Sequence, residues 1–458
     1  MKLYTKLFTK QQTKCLNKYS KSGKAGRRGL ALKVRKPLLV LPALLFFSSL
    51  LSSCSRQTNT FTIWTSRVEF ASYVEYYNAS HENSKAVLVY KEDPFHSLSS
   101  ARGDSTPDLI ISDGLKNSAT KRYFHPLDNI IREGGKGDKI DYSIFYKTLY
   151  EYGTLGSKTY LLPVSFNLPM LAFGNANESV VGDSHLIGMD LLKSTSGEFN
   201  ARNNSDDFTA MGYGVSWNPE LLYEFTKIRG GEYREKGKYF QWNKNALASS
   251  IEEFKKWTTE NNQSTTNELN FQFKYLFTPG YKQVVGGRCL YTFYTSDNFF
   301  KFKPDQVENL SYRWLGENGK IPVEDNIVMA GIYKKAKNVK RAEDFIVWFM
   351  KEQTQKELME RSQNMNLNTR SFGISGGFSS IRSVNETILP IYYRTLLENL
   401  PSEENLTLPD ILPPNWSAQK ENILYPYLLE MVQTDRDPNF PDPLTLEQRI
   451  QSWNKSNL

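Results

Sequence analysis

The chain has 458 residues, 57 of them Lys or Arg and 49 Asp or Glu, a formal net charge of +8, and three cysteines. Twelve of the basic residues and none of the acidic ones fall in residues 1–53, so the rest of the chain is net −4. That excludes a basic body built for nucleic acid, and the cysteines are too few for a disulfide framework.

The basic N-terminal stretch leads into an apolar run, Pro37–Ser53, whose core Leu38–Leu51 is shorter than the roughly 20 residues a relaxed bilayer span needs. The run ends in Leu51-Ser52-Ser53-Cys54 and a polar stretch, Ser55–Thr60, follows. This is the layout of a bacterial lipoprotein signal. Residues 1–53 are expected to be removed, Cys54 to carry the lipid, and residues 54–60 to act as a tether. An uncleaved N-terminal anchor is the alternative. Both readings put the body outside the cytoplasm, on the cell envelope, facing the periplasm or the exterior. Cys289 is then left alone and reads as a small buried residue in a strand.

The body's length predicts two domains, and its alternation of short β-rich runs with amphipathic stretches predicts α/β architecture. Phe61–Thr65 reads as a strand. Val68–Ala79 reads as a helix, with Phe70, Tyr73, Val74 and Tyr77 on one face. Ala86–Tyr90 and Asp108–Ile111 follow as strands, the latter ending in Ser112-Asp113-Gly114. Ligands of open α/β sheets sit beyond such strand ends. Leu127–Arg132 starts a helix. Leu161–Phe173 is extended and holds two prolines, which suits a segment passing between lobes better than a central strand.

Further on, Pro219–Ile228 is a helix with proline early, where it is tolerated. Ala246–Thr259 is a second, burying Leu247, Ile251, Phe254 and Trp257. Gly286–Phe293 and Asn326–Tyr333 read as strands, Val339–Gln353 and Ile423–Val432 as helices. Ser194–Asp207 and Glu260–Asn270 read as surface loops.

These motifs, in this order, resemble the extracellular solute-binding proteins of sugar-importing ABC transporters, the family-1 group that includes maltose-binding protein. Ile63–Ser66 resembles the family's opening strand, and Thr106–Ile111 its Pro-Asp-aliphatic strand. His125–Asp128 resembles its Pro-Leu-Asp helix start, and Tyr160–Asn175 its first crossover. Phe277–Phe293 resembles its helix–Gly–strand unit. Val328–Ile332 with Val339–Met350 resembles its second crossover and following helix, and Pro414–Trp416 with Leu444–Trp453 its helical cap. Gly287–Tyr291 and the Ser375–Arg382 loop depart from the family pattern, which points to an unusual ligand.

The resemblance implies a two-lobe periplasmic-binding-protein-like α/β fold with several crossovers and a helical C-terminal region. One lobe would hold residues 61–166 and 330–378, the other 167–329 and 379–458. A monomer would close its lobes over a sugar or oligosaccharide and deliver it to the permease of an ABC importer, tied to the membrane by lipid. The same fold as an adhesin or host-ligand binder, or binding a non-sugar solute, is the alternative.

A sugar needs polar groups for its hydroxyls and a flat apolar partner for its C–H faces. Candidates at the motif ends are Trp64, Ser66, Arg67, Ser112 and Asp113 in the first lobe, with Asn167 at the crossover, where the resemblance puts a ligand-binding carboxylate. In the second lobe they are Ser216, Trp217, Asn218, Tyr294 and Asp297, with Phe378 and Trp416 completing the set. Each has a bland counterpart: Asp113 and Asn218 as helix caps, Asn167 as a hinge strut, Trp64 as core, Trp416 as a helix staple. Arg102-Gly103-Asp104 reads as loop rather than adhesion signal. The four histidines show no metal-ligand spacing, and no Gly-x-Ser-x-Gly or P-loop is present. No metal, cofactor or catalytic residue is expected; a secreted glycan hydrolase is the enzymatic alternative.

Overall fold

The structure is a computed structural model that describes residues 59–101, 106–135, 139–364, 371–439 and 441–456. The proposed signal, Cys54 and the Arg102–Asp104 tripeptide lie outside the described residues. Thr58–Leu458 forms one compact unit. Among the described residues no helix is long and apolar enough to cross a membrane.

Ten strands build the two main sheets: β1 (Thr60–Thr65), β2 (Lys85–Tyr90), β3 (Leu109–Ser112), β4 (Leu162–Phe166), β5 (Pro169–Gly174), β6 (Leu186–Ile187), β7 (Tyr291–Thr295), β8 (Leu310–Leu315), β9 (Val328–Ile332) and β10 (Phe378–Ser379). The first sheet runs β10-β4-β9-β3-β1-β2 and the second β7-β5-β8-β6. β1 is parallel to β2 and β3, whereas β9 is antiparallel to β3 and β4. The helices that matter below are α1 (Phe70–Ser80), α2 (Met189–Phe199), α3 (Pro219–Ile228), α4 (Lys244–Trp257), α5 (Thr265–Lys274), α6 (Gly280–Val285), α7 (Val339–Phe349) and α8 (Glu352–Asn364).

Periodicity located α1, α3, α4 and α7. α1 buries Phe70, Tyr73, Val74 and Tyr77 and meets α7 ring to ring, with Phe70–Phe349 centroids 5.4 Å apart and Tyr77–Phe345 5.0 Å. α3 spans the residues expected: the Asn218 side chain accepts from the amides of Glu220 and Leu221, and Pro219 opens the first turn.

Five expectations need correction. Leu161–Phe173 does pass from one sheet to the other, but both halves are interior strands. Pro163 is tolerated because the β9–β4 ladder shifts register beside it, and Pro169 is the first residue of β5. The first part of Ser194–Asp207 is not a loop, since α2 runs to Phe199. Glu260–Asn270 contains a wide helical turn and then α5, whose amide at Asn267 is capped by Ser264. Polar composition hid both, because one buried stripe suffices for a helix. Leu127–Arg132 yields only a short 3-10 turn, Asp128–Ile130. Cys289 is buried but precedes β7, joined to Met211 by a single bridge.

The chain passes from the first sheet to the second at Asn167-Leu168, returns between Leu315 and Val328, and crosses again after Ser379 to reach Trp416 and Leu428, which pack with α3 and α4. An aromatic seam ties the two sheets at their base. Phe378 lies 5.5 Å from Phe166 of β4 and 5.9 Å from Trp314 of β8, and Phe300 stacks on Phe372 at 4.7 Å. Edge and offset geometries of this kind add about 0.5–1.5 kcal/mol per pair beyond burial.

Candidate functional site

A cavity of about 570 Å³ opens between the two sheets' outer loops. From the first sheet's side it is lined by Glu92 and Asp93, which follow β2, and by Ser112 and Asp113, where β3 ends. Asp325 and Asn326 at the return crossover and Asn415, Trp416 and Lys420 from the C-terminal helical segment line the other side. Gly114 follows Asp113 with φ +70°, and a Cβ there would lie 3.6 Å from the Pro414 carbonyl. Glycine thus permits the left-handed turn, while the 3.6 Å to Pro414 is ordinary contact that a Cβ would tolerate. Beyond this point Ser118 donates from its amide and hydroxyl to the Glu235 carboxylate, at 2.8 and 2.7 Å, which bridges the sides again.

The first wall is one hydrogen-bonded cluster. Ser66 Oγ sits 2.8 Å from Ser112 Oγ, and Ser112 donates to Asp113 Oδ1 at 3.1 Å. Arg67 pairs with Asp113 at 3.3 Å and donates to the Asn326 carbonyl at 3.4 Å. Two polar atoms remain buried without a partner, Arg67 Nε and Asn326 Oδ1. Asn326 lines the cavity, with its Oδ1 itself buried beneath that lining. An unsatisfied buried acceptor costs about 1–3 kcal/mol until it is met.

The second wall rests on a buried charge cluster. Asp325, its side chain 4% exposed, accepts from Tyr223 Oη (2.8 Å), Trp416 Nε1 (2.7 Å), Lys420 Nζ (3.0 Å) and Lys227 Nζ (3.2 Å). Lys227 also reaches Glu224 at 3.0 Å. Burial opposes ionisation of Asp325, but the two ammoniums win and hold its carboxyl well below the usual range; the same pairing holds both lysines up. The carboxylates outnumber the lysines here. Burial therefore pushes Glu324 well above its ordinary value and Glu224 up to about 7, with Lys227 opposing.

A pH dependence follows. Glu224 is higher in the folded than in the unfolded state, so its contribution to stability is full below its ordinary 4.5 and is lost as pH rises through about 7. Asp325 has the opposite sign and loses its contribution only as pH falls below 3.8. Urea unfolding of Glu224→Gln should show a flatter fall in stability between about pH 5 and 8 than the parent. Equal slopes would remove Glu224 as the titrating group.

The sequence-derived candidates divide. Ser112, Asp113 and Trp416 line the cavity, and Ser66 and Arg67 hold Asp113. Trp416 is only 6% exposed, packed on Phe240 at 5.0 Å. Trp64 is core, 3% exposed. Asn167 is buried as a strut: its amide donates to the Gly376 carbonyl at 3.0 Å and accepts from Ser296 Oγ at 2.7 Å. Phe378 is 1% exposed in the aromatic seam and does not reach the cavity.

Trp217 and Asn218 line a different cavity of about 170 Å³, with Tyr213, Gln272, Gln283 and Cys289. Trp217 donates to the Glu268 carbonyl at 2.8 Å and stacks on Phe271. Ser216 donates its amide to the Glu268 carboxylate. Asp113 and Trp217, expected to meet one guest from opposite sides, line separate cavities. Tyr294 packs on Phe302 at 5.2 Å, and Asp297 accepts from Thr295 and pairs with Lys301.

Glu92, Asp93, Asp325, Asn326, Asn415 and Lys420 were not foreseen. Glu92 and Asp93 follow a parallel strand's end, the same signal that marked Asp113. Nothing local marks Asp325 or Lys420, which meet only through the fold.

No family model and no curated sequence matches the chain. Solved structures do. The sugar-binding protein MalE of Xanthomonas citri matches with a TM-score of 0.59 at 11% identity, over 87% of this chain and 96% of its own. The GacH receptor of Streptomyces glaucescens, solved unliganded and with acarbose, gives 0.55 at 16%, over 86% and 97%. An ABC substrate-binding protein of Listeria monocytogenes, solved with cycloalternan, gives 0.55 at 14%, over 87% and 98%. At such identities the likeness establishes the fold: the chain is an α/β protein with the periplasmic-binding-protein-like architecture of sugar-binding ABC substrate-binding proteins.

Proposed function

We propose that this chain is a non-catalytic, monomeric binding protein that captures a sugar or oligosaccharide in the cavity between its sheets and presents it to the permease of an ABC importer. Cys54 would carry a lipid that ties the body to the cell envelope. The observation that carries the reading is the 570 Å³ cavity walled from both sides, with Ser112 and Asp113 on one and Asn326, Asn415 and Lys420 on the other. A ligand gripped by both walls binds the closed arrangement better than an open one, and this differential is what drives closure. Neighbours of this fold have been solved with acarbose and cycloalternan, which supports a carbohydrate guest.

The test is a panel of neutral oligosaccharides read by thermal unfolding and tryptophan fluorescence. A ligand at 100 times its Kd should add about 2.7 kcal/mol to stability and perturb Trp416. A panel that leaves both signals unchanged would reject a carbohydrate ligand.

A further inference from the structure

The second-sheet side carries an apolar surface that no packing uses. Leu269 and Phe273 lie four residues apart on one face of α5 and are 45% and 65% exposed. The turn after α5 adds Leu276 at 57% and Phe277 at 96%, and α6 ends in Val285 at 48%. Gln283 of α6 donates to the Tyr275 and Thr278 carbonyls at 3.5 and 2.7 Å, which folds α6 back beside that turn. The exposed side chains thus belong to adjoining segments tied by Gln283 and together present on the order of several hundred Å², a size that marks interaction surfaces on monomers.

Its charge has one sign. From Leu269 to Ser296 the chain has no Asp or Glu, but it has Lys274, Lys282 and Arg288. All three lie over tyrosine rings of the same region: Lys274 and Arg288 over Tyr275 at 5.5 and 5.7 Å, Lys282 over Tyr281 at 6.0 Å. The cations are therefore held around the exposed aromatics.

We infer that this surface seats the body on an anionic lipid bilayer, with Phe273, Leu276 and Phe277 entering the interface and Lys274, Lys282 and Arg288 meeting lipid phosphates. Protruding apolar side chains ringed by cations suit that boundary, where apolar burial and attraction to anionic headgroups add. A second copy of the chain is the poorer occupant. A two-fold contact would set the three cations against themselves, and the patch falls short of the area a stable dimer buries.

The body Thr58–Leu458, which contains both hydrophobic cores, should be sedimented with vesicles of phosphatidylcholine alone and of phosphatidylcholine mixed with phosphatidylglycerol. Binding is expected to the mixed vesicles and to be at least about tenfold weaker to the neutral ones. The Phe273→Ser/Phe277→Ser variant should lose about tenfold on the mixed vesicles. The Lys282→Glu/Arg288→Glu variant should lose the preference for the anionic lipid. Thermal unfolding of each variant at the parent's temperature verifies the fold. The inference is overturned if the parent does not bind the mixed vesicles, or if both variants bind them like the parent. It is equally overturned if sedimentation shows a Phe277-dependent dimer in place of vesicle binding, or if Phe277 is needed only for a protein partner.

Discussion

Asp325→Ala should lower the free energy of unfolding by about 3–5 kcal/mol, the range for removing one member of a buried ion pair. The carboxylate accepts from two ammoniums, a phenol and an indole, and its side chain is 4% exposed. Alanine takes the Asp325 carboxylate from Lys420, leaves Lys227 with Glu224 and the Val323 carbonyl, and orphans the Tyr223 and Trp416 donors. Glu224 and Glu324 stand nearby and can ionise in response, which limits the loss but cannot restore donors aimed at Asp325. Asp325→Asn should fall in between, because the amide oxygen still accepts. Urea unfolding at neutral pH measures all three. A loss below about 1 kcal/mol for the alanine variant would show that the cluster is not the brace of the second wall.

Asp113→Ala should weaken the sugar found by the oligosaccharide panel at least about 100-fold, which is about 2.7 kcal/mol. A hydrogen bond to a charged group contributes about 1.5–3 kcal/mol, and Asp113 is the half-exposed carboxylate of the first wall, held by Ser66, Ser112 and Arg67. Removing it also frees Arg67, whose remaining partner is the Asn326 carbonyl. Calorimetric titration of parent and variant gives the ratio. Stability should change little, since the side chain is 38% exposed. An affinity within about threefold of the parent would move the ligand away from β3's end, toward the smaller cavity at Trp217.

How far the site could be read from the chain depends on the range of each interaction. Asp113 was legible because a buried strand followed by Ser-Asp-Gly marks a sheet edge within a few residues. The helix start at Asn218-Pro219 was legible for the same local reason. The roles of Asn167, Phe378 and Trp217 were not. Each has the chemistry of a ligand contact, and each is taken by a partner far along the chain: Gly376 for Asn167, Phe166 for Phe378, Glu268 for Trp217. The reversed reading of Leu161–Phe173 has a similar source. A proline weakens a central strand only where its missing amide proton would have been used, and the partner strand alone decides that.

By itself the sequence determined the α/β character, the positions of β1, β3, α1 and α3, the first crossover at Asn167-Leu168, and the basic excess of residues 1–53 over a net-acidic remainder. These rest on spacing, turn chemistry and composition, which act over a few residues. Tertiary structure alone decided which polar side chains line the cavity and which are spent as struts. It also decided that Asp325 gathers Lys227 from α3 and Lys420 from the C-terminal segment, and that Phe277 is left in solvent. The reason is that burial and ion pairing depend on distances between segments a hundred residues apart, and those exist only once both sheets have packed.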